Sequence, residues 1–166
     1  MTRKFKTNEE ISPRELVQYG LDHLGAGATL FKGTPEHYDS AGYLIHVGYE
    51  CLLKGWWLYQ DKEIESGHSL LKICDRIKDF QFDELPEDAK NTIKLINQFQ
   101  YLRYPKLLDP IDIGSDMLEP ILHLIKFTLS CMPKQIRPKQ NDEFIVKGNR
   151  RLYKKPIIPA KKKVAR

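Results

Sequence analysis

Residues 34–59 read TPEHYDSAGYLIHVGYECLLKGWWLY, and after Pro35 no proline interrupts them. Ala41, Leu44, Val47, Cys51 with its neighbour Leu52, Trp56 and Tyr59 return every three or four residues, the spacing of one helical face. Thr34-Pro35-Glu36 supplies a start, with a residue able to cap, a proline where no N–H is needed, and an acid in the first turn. Tyr43, Leu53 and Trp57 lie off that face, so the apolar surface is wider than one stripe. The pattern predicts a central helix that touches more than one neighbour.

Working outward, Ser12-Pro13-Arg14-Glu15 opens an earlier helix that runs to about Phe31, with Ser12 and Glu15 spaced as a capping box. Gly25 and Gly27 each lower helix propensity there by about 1 kcal/mol, unless they admit a close neighbour; a bend is the other outcome. Ser66-Gly67-His68 leads into a short third helix with Leu70, Leu71, Cys74 and Ile77 inward. Pro86 opens a fourth through Ile93, Ile96, Phe99 and Leu102, which Pro105 ends by disfavouring α geometry at Tyr104. A fifth starts between Ser115 and Glu119 and passes Ile121, Leu122, Ile125 and Leu129 to Met132. No alternating segment of strand length intervenes before residue 140. The expected fold is therefore all-α, a four- to five-helix up-and-down bundle over residues 1–132, with a basic, largely irregular tail over 133–166.

The net charge of +5 is unevenly divided. Residues 133–166 hold 12 Lys or Arg against Asp142 and Glu143, a net of +10, which leaves residues 1–132 at −5. Affinity for a polyanion is therefore expected in the tail, at Lys147, Arg150, Arg151, Lys154, Lys155, Lys161, Lys162 and Lys163, with Tyr153 able to stack on a base. No apolar run reaches the roughly 20 residues of a spanning helix, and the polar first ten residues lack a secretory signal, so no membrane partner and a cytoplasmic location are expected. Cys51, Cys74 and Cys131 are odd in number and far apart, as free core thiols would be.

Familiar catalytic patterns are missing. Lys32-Gly33-Thr34 has Phe31 where a phosphate loop needs glycine, and it follows a helix instead of a strand. No HxxxH or HExxH pair puts two histidines on one helical face, and no nucleophile elbow is present. His46 and Glu50 can share a face near His68, but surface pairing explains that spacing without a metal, and no cofactor is expected.

Three short strings remain: Glu50 one turn before Lys54 among apolar neighbours, His68-Ser69-Leu70, and Arg103-Tyr104-Pro105 at a helix end. In that order, across roughly residues 36–130, they resemble the HEPN superfamily, compact helical bundles found alone or beside minimal nucleotidyltransferases. The resemblance implies a homodimer, and Glu50, Lys54, His68, Arg103 and Tyr104 as the family-motif positions. It also implies a possible nucleotidyltransferase or antitoxin partner. Members that cut RNA without metal carry an arginine followed after four to six residues by histidine. After Arg103 those positions are Leu108, Asp109 and Pro110, and no other arginine satisfies the offset. The resemblance therefore points to the non-catalytic branch, a module that binds a nucleotide, nucleic acid or protein partner. The alternative is a divergent HEPN ribonuclease, a toxin or phage-defence factor in which folding brings Arg103, Tyr104 and His68 together.

Overall fold

The computed structural model describes residues 4–6, 11–104 and 111–138. Five α-helices organise the described residues: α1 (Pro13–Phe31), α2 (Tyr38–Asp61), α3 (Leu70–Cys74), α4 (Glu87–Gln98) and α5 (Leu118–Cys131). The fold is an all-α bundle. Two three-residue strands, β1 (Lys4–Lys6) and β2 (Glu63–Glu65), pair antiparallel with Phe5 opposite Ile64. They are too short to carry a period that sequence reading could detect.

The capping box forms as the residue types require. Glu15 N–H donates to Ser12 Oγ at 3.2 Å, and Ser12 N–H donates to Glu15 Oε2 at 2.9 Å. Thr34 does not repeat it. Its side chain caps nothing, a 3-10 turn over Pro35–His37 intervenes, and α2 begins at Tyr38. Lys62, in the left-handed conformation at φ 64°, ends α2 beyond Tyr59.

Antiparallel α1 and α2 pack closely along a seam of small residues. A methyl group added at Gly20 would meet Gly48 O at 2.6 Å, and one added at Gly48 would meet Gly20 O at 2.7 Å. Gly27 likewise faces the Ala41 carbonyl, and Gly55 faces Val17. The glycine at 27 therefore serves close contact, and α1 is continuous through it. The buried face of α2 keeps the expected Ala41, Leu52 and Trp56 and departs from the expected stripe elsewhere. Ile45, Tyr49, Leu52, Leu53, Trp56 and Leu58 are fully buried, whereas Leu44, Val47, Cys51 and Tyr59 are only half-buried.

On the other side of α2, α5 is joined by a polar tie. Tyr49 Oη lies 2.8 Å from Thr128 Oγ1, which itself donates to Leu124 O at 2.9 Å. The chain after α4 tightens into a 3-10 turn over Phe99–Arg103, and Leu102 rests against Gly42 near the start of α2. The body also extends beyond Met132. Ile136 is buried, and Arg137 Nη2 donates to Ser130 O at 2.9 Å and Met132 O at 2.8 Å, covering the last carbonyls of α5. Cys74 is buried and Cys51 half-buried, but Cys131 is exposed, so the expectation of core thiols fails at that position. Burial pushes the Cys74 thiol up to about 12, and burial together with the Glu50 charge pushes Cys51 to about 11. No described helix is long and apolar enough to cross a membrane. Pro105 and the tail positions Lys147, Arg150, Arg151, Tyr153, Lys154, Lys155, Lys161, Lys162 and Lys163 lie outside the described residues.

Candidate functional site

The family-motif positions divide into two groups. The first centres on Glu50, which the fourth turn of α2 carries to the side facing α3 and α4 and which is only 8% exposed. A carboxylate so placed needs donors, and three side chains surround it. Lys54 Nζ, one turn on, donates to Oε1 at 2.7 Å. His68 Nδ1, from the segment entering α3, lies 3.1 Å from both carboxylate oxygens. His46 Nε2, one turn back, stands 3.5 Å from Oε2 without forming a well-aligned hydrogen bond.

Burial alone would raise the Glu50 pKa. The His46 imidazole, the Lys54 ammonium and the His68 imidazole outweigh it and hold the carboxyl at about 2. His46 Nδ1 lies 3.0 Å from Ile96 O, and because a carbonyl only accepts, that nitrogen carries the hydrogen. His46 thus ties α2 to α4. Asn97, on the next residue of α4, accepts the Leu70 N–H at 2.8 Å and satisfies an amide of the first turn of α3. Sequence reading missed Asn97, since no local signal marks a side chain that caps a helix 27 residues earlier.

The His46, Glu50 and His68 proximity raised by spacing is real, but one Glu50 oxygen already accepts from an ammonium. Among the described residues no group of three or more His, Cys, Asp or Glu is arranged to hold a metal ion. His68 differs from the others in its exposure, with 73% of its side chain open to solvent.

The second group stands at the end of the 3-10 turn after α4. Tyr101 is 56% and Tyr104 72% exposed, large aromatic surfaces that the core does not cover. Arg103, also exposed, places its guanidinium carbon 5.3 Å from the Tyr104 ring centroid, within cation–π range. No hydrogen bond, ion pair or ring contact joins Arg103 to His68 among the described residues. Leu102 packs at Gly42 while His68 bonds Glu50, eight residues along α2, a separation of about 12 Å of helix rise. The structure brings together Glu50, Lys54 and His68, and separately Arg103 and Tyr104; the trio Arg103, Tyr104 and His68 is not assembled. Comparison with protein-family models, curated proteins and solved structures gives no match for the chain.

Proposed function

We propose that the chain is a non-catalytic, HEPN-like binding module that takes single-stranded nucleic acid at its Tyr101, Arg103 and Tyr104 end. The observation that carries this reading is the pair of exposed tyrosines flanking an exposed arginine. Such rings offer flat apolar faces on which unpaired bases stack, and the guanidinium between them can meet a phosphate or a base plane. The Glu50 group supports a structural role, because its charges are spent on one another and tie three helices. The lysines and arginines of residues 139–166 add phosphate contacts that carry no sequence information. The module works as a homodimer, a reading that rests on the resemblance, since Leu118 and Leu122 of α5 are half-buried against the core. Sedimentation equilibrium at tens of micromolar protein checks this, and a strictly monomeric species counts against it.

The main test is fluorescence anisotropy with a labelled single-stranded RNA at several salt concentrations. Tyr104→Ala is expected to weaken binding about tenfold, as loss of one stacked base does. Arg103→Ala weakens it and flattens the salt dependence. Replacing Lys161, Lys162 and Lys163 together by Gln flattens it further, and the RNA stays intact throughout. Unchanged affinity in the Tyr101→Ala, Tyr104→Ala double variant would refute the stacking site.

A further inference from the structure

A cavity of about 530 Å³ opens between the first turns of α4 and the N-terminal part of α5, and none of its lining residues belongs to either group described above. Its apolar floor includes Leu124 and Phe127, and Asp88, Asp116 and Glu119 stand around it. His123 is the only basic side chain in the lining, which contains no lysine or arginine among the described residues. Carboxylates in a helix's first turn favour the macrodipole, which accounts for Asp88 and Glu119 individually. It does not account for their convergence with Asp116 on one apolar cleft. None of the three carboxylates has an ion-pair or side-chain hydrogen-bond partner among the described residues.

The chain itself supplies a segment of complementary chemistry. Residues 139–166 carry ten Lys or Arg against Asp142 and Glu143, a net of +8, and interleave them with Phe144-Ile145-Val146 and Pro156-Ile157-Ile158-Pro159. Phe144 follows Pro138 by six residues, a tether of up to about 20 Å, and the floor residues Leu124 and Phe127 lie seven and four residues before the end of α5, about 10 and 6 Å of helix rise. Reach is not limiting. The cleft needs an occupant with an apolar element to cover its floor and cations to meet its rim, and this segment offers both within eight residues.

We infer that the cleft between α4 and α5 is the docking site of the chain's own basic segment. Phe144, Ile145 and Val146 cover the floor, and Lys147, Arg150 and Arg151 pair with the acidic rim. The docked segment withholds these cations from nucleic acid, a consequence that rests on the nucleic-acid reading above; the docking itself does not.

Limited trypsin digestion of the full chain, without nucleic acid, tests the docking, with cleavage after Lys147, Arg150 and Arg151 followed by mass spectrometry. Asp116→Asn with Glu119→Gln, both at exposed positions, is expected to speed that cleavage about tenfold at low salt by releasing the segment. At about 0.5 M salt the two proteins converge, since the pairing is screened. Phe144→Asp, which leaves the body untouched, releases the segment in the same way. Equal low-salt rates in the parent and both variants would overturn the docking. Protection that rises with protein concentration would assign the cleft to a second copy's segment and overturn the intramolecular arrangement.

Discussion

Glu50 and Arg103 are both charged residues of the family-like strings, and the fold treats them in opposite ways. Glu50 is buried, and the Lys54 and His68 side chains bond it while a second imidazole, His46, stands close. Arg103 is exposed and has the ring of its chain neighbour as its contact among the described residues. A buried charge is costly unless it is fully paired, so its partners measure what the fold spends to keep it. An exposed charge beside uncovered tyrosines costs the fold almost nothing. The difference separates a residue that holds helices together from one free to hold something else.

The closed side of this comparison breaks most completely at the seam beside Glu50. Gly48→Val would drive side-chain carbons into Gly20 O and Leu24 N, backbone atoms that cannot rotate away. A loss of roughly 3 kcal/mol is expected, at the upper end for overpacking, seen as a lower urea midpoint. A variant as stable as the parent would mean that α1 and α2 do not approach this closely.

Glu50→Gln tests the network itself. It leaves Lys54 largely buried without its counter-charge, and a loss of about 2 kcal/mol is expected, less than for a fully enclosed pair because Lys54 keeps some contact with water. The effect has a pH signature. The folded-state pKa is lowered from its ordinary 4.5 to about 2, so between these values the unfolded chain binds more protons. The stability from Glu50 is therefore complete above about pH 4.5 and disappears as the pH falls toward 2. The variant should lose that part of the acid dependence in denaturant titrations. Parallel curves for both proteins over this window would show that the carboxylate is not held by its neighbours.

Much of the closed side is legible in the chain and the open side much less so. Ser12 and Glu15 predict their cap because both partners lie within one turn, and Glu50 predicts Lys54 for the same reason. The buried face of α2 is read correctly at Ala41, Leu52 and Trp56 and misread in part, because Gly48 and Gly55 carry no apolar side chain, yet they sit in tight contacts of the core. Likewise Ile136 is indistinguishable by composition from the basic segment around it; only the turn after α5 brings it inward, so a boundary drawn at Met132 cuts through the core. Tyr101 fits a helical pattern as well as Leu102 does. That the first is exposed and the second packs at Gly42 depends on the 3-10 turn, which changes the residues per turn just before the site.

The smallest expected effect on stability is at Arg103, and it sharpens the comparison most. Arg103→Ala removes a side chain whose cation–π contact is exposed to water and screened by it. Stability should stay within about 0.5 kcal/mol of the parent, the range for surface substitutions that touch no special feature. Tyr104→Ala should behave alike, because a ring already 72% exposed forfeits little burial. Thermal melts of both variants beside Glu50→Gln set the two regions on one scale. If Arg103→Ala lost as much stability as Glu50→Gln, the arginine would be part of the scaffold, and a loss of RNA affinity in that variant would report unfolding. If its melt overlays the parent, the same loss of affinity belongs to the surface that Tyr101, Arg103 and Tyr104 present.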